Sequence, residues 1–236
     1  MKFTLSILAA SLFSSAFATY GPNEGPVANK RQPYTPKEGE LARNEAISTK
    51  CLGLGMKPSL ARYPTSVAAM KLISERGAKV IIETGTTRDE IAKMEGAGGF
   101  TVIFGCYAQG LGARLTSVDI DAKNCATARR VTSNYRNNVS VVCSDSLPFL
   151  EKYSVGLIDF LYLDSFDYDS KNPAPSQNHH LKEIQAAYNK LHSQSVVMVD
   201  DCDLPGGGKC KLVEAFLLER GWKMVMNGYQ QIFVYE

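Results

Sequence analysis

The stretch KVIIETGTT, residues Lys79 to Thr87, joins a short apolar run to an acidic residue and then to a glycine. An apolar run of this length predicts a buried strand of a parallel sheet. Glu83 closes the run, so its carboxylate is expected at the carboxyl end, the edge where open α/β sheets bind ligands. Gly85 follows, and a residue without a Cβ atom lets the backbone approach a ligand closely. The stretch therefore predicts a first strand with a binding site beyond its end.

Three later apolar runs also end on an acid. They are RLTSVD, GLIDFLYLD and SVVMVD, which close on Asp119, Asp164 and Asp200. Because the carboxyl ends of parallel strands share one edge of a sheet, we expect these carboxylates and Glu83 to converge on one crevice. One acid after one strand is weak evidence, and the ordered series is what predicts a site.

The apolar runs alternate with helical patterns, which predicts an α/β sheet covered on both faces. The helical patterns cover residues 98–108, 123–133, 176–191 and 209–220, and a further strand covers 139–143. Near the C-terminus, Asn227-Gly228 separates two apolar runs, a pattern typical of a β-hairpin with a type I′ turn. The predicted fold is Rossmann-like and doubly wound, a mostly parallel seven-stranded α/β sheet with a C-terminal antiparallel β-hairpin.

Residues 1–18 have the features of a secretory signal peptide. Lys2 precedes an apolar stretch, and Ala16-Phe17-Ala18 fits the small-residue cleavage pattern. The stretch is shorter than the about 20 residues that span a bilayer, so no membrane span is predicted. The sequence therefore predicts a chain that enters the secretory pathway or is secreted.

The segment after the predicted cleavage site, residues 19–40, is rich in Gly, Pro, Asn and charge and is predicted to be a flexible arm. Its dibasic pair Lys30-Arg31 fits a processing site and a solvated linker equally well. Residues 41–76 have a helical pattern with a break at Tyr63-Pro64. The alternating strands and helices occupy residues 77–236, which we expect to form the main domain.

The six cysteines permit up to three disulfides in an oxidising compartment, although buried free thiols fit as well. Cys202 and Cys210 flank the turn DLPGGGK and are the first pair to test. The formal net charge is only +2, with both signs mixed along the chain and no basic stripe, so no nucleic-acid partner is predicted. Nothing in the sequence specifies an oligomeric state.

Four features resemble the class I S-adenosylmethionine (SAM)-dependent methyltransferases. They are ETG at 83–85, SVDID at 117–121, SDS at 144–146 and the terminal hairpin, and the resemblance runs from about Ser66 to the C-terminus. It implies that Glu83, Thr84 and Gly85 lie by the methionine part of SAM and that Asp119 binds the ribose hydroxyls. It also implies that Asp145 and Ser146 lie beside the adenine.

The loop after the first strand departs from the glycine-rich pattern of that family. Thr87 stands where a second glycine is usual, and glycines recur only at Gly96, Gly98 and Gly99. Two interpretations follow. Either the longer loop folds over the cofactor, with Arg88 reaching a carboxylate, or the cofactor site is degenerate and the chain is a secreted binding protein with a vestigial pocket.

A narrower resemblance links LYLDSFDYD and VMVDDC to the metal-dependent catechol-type O-methyltransferases. It implies that Asp164, Asp200 and Asp201 bind Mg²⁺ or another divalent cation, with Asp201 in place of the usual Asn. Carboxylate oxygens suit such ions. The alternative is that Asp164 and Asp200 line the cofactor mouth while Asp201 caps the next turn.

The predicted function is methyl transfer from SAM to an oxygen of a small molecule or of an exposed side chain, and the sequence does not specify which acceptor. Asp164 and His180 are the predicted catalytic residues. His180 lies in the pair His179-His180 at the start of a predicted helix, close in sequence to the acid-rich loop. A neutral imidazole serves as a general base or as a metal ligand near neutral pH. A surface position at the start of the helix is the alternative for both histidines.

Overall fold

A computed structural model describes residues 31–89 and 99–235. Within them, seven strands form a single sheet in the order β3-β2-β1-β4-β5-β7-β6. The strands are β1 Val80–Thr84, β2 Arg114–Asp119, β3 Val139–Cys143, β4 Phe160–Leu163, β5 Val196–Val199, β6 Trp222–Met226 and β7 Gln231–Tyr235.

Strand β1 lies at the centre of the parallel part of the sheet. It pairs in parallel with β2 on one side and with β4 on the other. Strand β7 runs antiparallel to both β5 and β6. The predicted sheet with its terminal hairpin is therefore confirmed. The strand order reverses between β1 and β4, which places a topological switch point, the usual ligand crevice of such folds, beyond their carboxyl ends.

Helices cover both faces of the sheet. They are α1 Glu40–Leu52, α2 Tyr63–Glu75, α3 Phe100–Leu111, α4 Ala122–Val131, α5 Ser146–Lys152, α6 Ala174–Ala187 and α7 Lys211–Glu219. Alternate residues of β4 face opposite cores, because Phe160 and Tyr162 pack with α1, α2 and α3, whereas Leu161 and Leu163 pack with α5, α6 and α7. Burial on both faces explains why this strand is a continuous apolar run.

The N-terminal helical segment contains two helices rather than one interrupted helix. Residues 53–62 separate them, and Pro64 lies in the first turn of α2, where its missing amide hydrogen costs no hydrogen bond. The predicted break at Tyr63-Pro64 is thus the start of the second helix.

The C-terminal hairpin has a different turn from the predicted one. Four residues, 227–230, separate β6 from β7, and neither Asn227 nor Gly228 has the positive φ that a type I′ turn requires. The carbonyl of Tyr229 accepts a hydrogen bond from the amide of Cys202 at 2.8 Å. The longer turn therefore reaches across to the segment that follows β5.

All six cysteines form disulfides. Cys51–Cys106 joins α1 to α3, Cys125–Cys143 joins α4 to β3, and Cys202–Cys210, the pair singled out in the sequence for testing, closes the loop after β5. In the part of the chain that the structure describes, no helix has the length and hydrophobicity needed to cross a membrane.

The predicted signal peptide, Lys30 and the greater part of the predicted arm lie outside the described residues. Within the remainder of the arm, Arg31 forms an ion pair with Asp159, which precedes β4. The hydroxyl of Tyr34 donates to the carboxylate of Glu40 at 2.7 Å. Residues 31–40 therefore make specific contacts with the domain and with α1.

Candidate functional site

A cleft of about 270 Å³ lies beyond the carboxyl ends of the central strands. Its walls come from the segments that follow β1, β2, β3 and β4. The lining residues are Gly85, Val118, Asp119, Ile120, Ser144, Asp145, Ser146, Ser165, Phe166 and His179. Four of the six residues predicted to bind the cofactor are in this set.

Gly85 forms the tight turn at the base of the cleft. Its φ is 82°, and a Cβ atom there would collide with the backbone carbonyl of Asp164. Its amide donates to the carbonyl of Val118 at 2.8 Å. The positive φ and the close approach both require glycine, so this position joins the ends of β1, β2 and β4.

Asp119 is held at the edge of the cleft by backbone donors. The amide of Thr86 donates to Oδ2 at 3.1 Å, and the amide of Asp121 donates to Oδ1 at 2.8 Å. The Asp119 side chain is half-buried. A fixed carboxylate at this edge is suited to accept hydrogen bonds from vicinal hydroxyl groups.

Asp145 and Ser146 follow β3 and lie at the start of helix α5. Asp145 is the N-cap, since its Oδ1 accepts the amide of Leu147 at 2.9 Å. The hydroxyl of Ser146 lies 3.2 Å from Nε2 of His179. The cap and this contact fix the α5 side of the cleft.

Glu83 and Thr84 are not among the lining residues. Glu83 is only 2% exposed, and its Oε2 accepts a hydrogen bond from the Thr101 hydroxyl at 2.8 Å. Burial raises the pKa of Glu83 to about 8. Thr84 is completely buried. These two side chains thus lie beneath the cleft, and Glu83 joins β1 to α3.

In the loop after β1, Thr87 stands at the position where a second glycine is usual. The amide of Thr87 donates to Thr101 Oγ1 at 2.9 Å, which ties the loop to the first turn of α3. Arg88 forms a two-point ion pair with Asp167 at 2.5 and 3.1 Å. Gly96 and Gly98 lie outside the described residues.

The two adjacent histidines of α6 face different surroundings. His179 lines the cleft, with its ring centroid 5.3 Å from that of Phe166. His180 is completely buried, and its Nδ1 donates to the carbonyl of Ser176 at 2.7 Å. Burial lowers the pKa of His180 to about 4. Since consecutive helical residues point about 100° apart, only His179 reaches the cleft, and the placement predicted for His180 needs this correction.

Asp164, Asp200 and Asp201 form an acidic cluster next to the cleft, at the ends of β4 and β5. One oxygen from each carboxylate lies within 4.8 Å of the others. Asp200 is completely buried, and Asp164 and Asp201 are partly buried. Burial and the nearby Asp200 raise the pKa of Asp164 to about 7.

Two basic side chains already contact this acidic cluster. The ammonium of Lys209 lies 2.5 Å from Asp164 Oδ1 and 3.1 Å from Asp201 Oδ2. The guanidinium of Arg62 donates to both oxygens of Asp200, at 3.0 and 2.6 Å. A divalent cation needs carboxylate oxygens at about 2.0–2.6 Å, so it would have to displace these partners. The residues present therefore do not fit a resident divalent cation.

Arg62 and Lys209 are not among the site residues predicted from the sequence. One feature of the sequence could have indicated Lys209, because this lysine lies directly before Cys210 in a loop that follows two consecutive acids. No such feature indicates Arg62, because it precedes α2 and is separated by 138 residues from the aspartate it contacts.

The sequence matches no protein-family model and no curated protein. Solved structures do match. The SAH-bound methyltransferase PaMTH1 of Podospora anserina has a TM-score of 0.52 at 12% identity, over 87% of this chain and 100% of that one. The SAH complex of an O-methyltransferase from Bacillus cereus has a TM-score of 0.51 at 19% identity, over 84% and 92%. Cofactor-bound Rv0187 from MTB has a TM-score of 0.51 at 16% identity, over 86% and 98%. The chain thus has the fold of the class I SAM-dependent methyltransferases.

Proposed function

We propose that this chain is a SAM-dependent methyltransferase that methylates an oxygen atom of a small molecule or of an exposed side chain. The observation that carries the proposal is the cleft at the switch point, whose lining residues include Gly85, Asp119 and Ser146. The hydroxyl of Ser165, another lining residue, is buried and has no hydrogen-bond partner among the described residues. A polar ligand would satisfy that hydroxyl.

Each wall has a distinct role in this proposal. Asp119 accepts hydrogen bonds from the ribose hydroxyls, and the backbone at Gly85 approaches the methionine part. Phe166 and His179 also line the cleft and provide flat rings, which suit the faces of an adenine. Glu83 acts indirectly, because its contact with Thr101 positions the loop that follows β1.

When bound, SAM would supply an activated methyl group on a sulfonium, and transfer of that group to the acceptor oxygen would break the sulfur–carbon bond. The acceptor hydroxyl must lose its proton during this step. We assign the proton to Asp164, which lies next to the cleft. A pKa of about 7 places this carboxyl near the value at which a general base works best at neutral pH. His180 has no part in this scheme, because it is buried away from the cleft.

Calorimetric titration of the mature protein with SAM and with SAH tests the proposal. We expect saturable binding of both, and Asp119→Asn should weaken it by about tenfold or more, since hydrogen bonds to the ribose would be lost. Asp203→Asn is the matched control, because Asp203 is exposed and does not line the cleft. No binding of SAM or SAH at millimolar concentration would refute the enzyme and leave the secreted binding protein as the alternative.

The proposed site of action is the secretory pathway or the extracellular space. Three disulfides support it, because such bonds persist mainly in oxidising compartments. Mass spectrometry of the secreted protein should find an N-terminus near Thr19, or at Gln32 if the pair Lys30-Arg31 is processed. A secreted chain that still begins at Met1 would contradict the signal peptide.

A further inference from the structure

We propose that the acidic cluster of Asp164, Asp200 and Asp201 works without a divalent cation, because Lys209 and Arg62 are its built-in counter-cations. The inference concerns the edge of the sheet at which the proposed reaction takes place. It does not depend on that reaction, since it is a statement about metal binding to the protein alone.

Lys209 is held as part of the structure and is not a mobile surface residue. Its side chain is only 1% exposed and contacts two of the three carboxylates. A lysine that can reach water gains little from an exposed ion pair and remains mobile. A buried ammonium, in contrast, is costly unless it is paired, so Asp164 and Asp201 are required partners for it.

The loop that carries Lys209 is built to return to the end of β5. The disulfide Cys202–Cys210 closes it, and the Lys209 amide donates to the carbonyl of Asp201 at 3.1 Å. A Cβ atom on Gly208 would collide with that same carbonyl, so the close return of the backbone requires glycine there.

A second set of contacts holds the same loop from the side of α6. The side-chain amide of Gln177 donates to the carbonyls of Gly206 and Gly208 at 3.1 and 3.0 Å. Gln177 is itself buried. The backbone on the N-terminal side of Lys209 is therefore fixed by contacts that do not involve the acidic cluster.

Arg62 satisfies the third carboxylate in a comparable way. Its guanidinium makes a two-point contact with Asp200 and lies 4.4 Å from the ring centroid of Tyr229. Gln230 adds a donor to Asp200 Oδ1 at 2.8 Å, and the Tyr229 hydroxyl donates to Asp201. The longer hairpin turn thus brings two residues to the cluster.

The charges of the cluster leave little attraction for a metal ion. Three carboxylates face one ammonium and one guanidinium, a formal sum of −1. A divalent ion would be attracted by a net charge of only −1 and would have to bind beside two fixed positive charges. Its usual ligands, the carboxylate oxygens, already accept hydrogen bonds from these groups.

Mn²⁺ titration followed by electron paramagnetic resonance, with the purified full mature chain, tests this inference. We expect the unmodified protein to show no saturable Mn²⁺ binding below about 1 mM, the weak limit of extracellular calcium modules. Lys209→Met keeps the apolar stem and removes the charge. This variant should bind Mn²⁺ at least about tenfold more tightly, because a like charge is removed and two carboxylates are freed.

Two further variants make the outcome specific. Lys211→Met removes a nearby exposed lysine and should leave Mn²⁺ binding unchanged. Adding Asp200→Asn to Lys209→Met should abolish the gained binding. Micromolar Mn²⁺ binding to the unmodified chain that disappears in Asp200→Asn would overturn the inference. A folded Lys209→Met variant that shows no increase in Mn²⁺ affinity would also overturn it. If Lys209→Met does not fold, the titration of the unmodified chain decides. Titration with SAM is a separate measurement, so failure of the proposed function would be distinguishable.

Discussion

Nε2 of His192 lies 2.8 Å from Oδ1 of Asp159, in a buried pair at the end of the sheet opposite the cleft. The other oxygen of Asp159 accepts the backbone amides of Lys79 and Val80 at 2.7 and 2.8 Å. This carboxylate therefore holds the start of β1 against the start of β4. The arrangement indicates that Asp159 stabilises the fold at the edge of the sheet away from the cleft.

Asp159→Asn should lower the free energy of unfolding by about 2–4 kcal/mol at pH 7, because buried donors lose a charged partner. Burial alone would raise the pKa of Asp159, but His192 and the two amides hold that pKa below its usual range. A lowered pKa contributes stability that is present above about pH 4 and lost as the pH falls further.

Urea unfolding of both proteins at several pH values measures this effect. The stability difference should shrink below about pH 4, where the unfolded chain already binds the proton. Asp169→Asn is the control, since Asp169 is exposed. An undiminished difference at pH 3 would show that the charge of Asp159 is not what stabilises the fold.

The ends of the strands were predictable because they depend on local sequence. A buried parallel strand must be apolar on both faces, and the acid that closes the apolar run marks where the strand reaches the ligand edge. The predicted bounds of β2 and β3 match the structure, and those of β1 differ by one residue at each end. The pattern for β4 was too long, because Gly156 to Asp159 precede the strand and lie at the opposite end of the sheet.

The partners of the predicted acids were not predictable in the same way. His192 is completely buried against Asp159, and Arg62 reaches Asp200 from 138 residues away. Neither contact leaves a periodic signal in the sequence, since each joins two segments that meet only after the sheet has formed. The sequence could not separate His179 from His180 for another reason, because one residue changes the direction of a helical side chain by about 100°.

Gly85→Ala should lower the free energy of unfolding and weaken SAM binding together. The alanine would have to adopt a positive φ, and its methyl group would collide with the carbonyl of Asp164. We therefore expect the free energy of unfolding to fall by at least about 2 kcal/mol. Chemical denaturation and calorimetry measure the two effects.

Gly112→Ala separates the two causes. Gly112 also has a positive φ, 61°, but no atom lies within 4 Å of the position that its Cβ atom would take. Only the backbone cost of about 1–2 kcal/mol applies there, and cofactor affinity should not change. Equal losses in both variants would mean that the approach to Asp164 has no influence.

The two adjacent histidines should give opposite results when each is replaced. His179→Gln keeps a donor for the buried carboxylate of Glu183, which lies 3.4 Å away, but removes the ring from the cleft. SAM affinity should fall by about three- to tenfold with stability nearly unchanged. His180→Ala leaves a cavity in the core and should lower the free energy of unfolding by about 2–4 kcal/mol, with little change in affinity. If calorimetry instead showed the loss of affinity in His180→Ala, and denaturation showed the loss of stability in His179→Gln, His180 rather than His179 would lie in the cleft.

Removal of the disulfides one at a time should destabilise the protein most for the disulfide that closes the longest loop and least for the one that closes the shortest. Cys51–Cys106 spans 55 residues, Cys125–Cys143 spans 18 and Cys202–Cys210 spans 8. Because a longer closed loop restricts the unfolded chain more, the chain-entropy model gives losses of about 4, 3 and 2.5 kcal/mol. Double Cys→Ala variants compared by denaturant unfolding test this order. A larger loss for Cys202–Cys210 than for Cys51–Cys106 would show that this disulfide also acts through the loop that carries Lys209.

Glu83 should make the protein less stable as the pH rises through neutrality. Burial raises the pKa of this carboxyl to about 8, so the folded protein keeps a proton that the unfolded chain loses near pH 4.3. A raised carboxyl pKa gives stability that is complete below the unfolded value and is lost as the pH approaches the folded value. Between pH 5 and pH 8, ionisation of Glu83 should therefore lower the free energy of unfolding by up to about 4 kcal/mol.

Glu83→Gln mimics the protonated form and keeps an acceptor for Thr101. Denaturant unfolding of this variant should show a smaller decline over the same range. Parallel pH profiles for the two proteins would mean that Glu83 is ionised in the folded state, with Thr101 and its other donors compensating for burial.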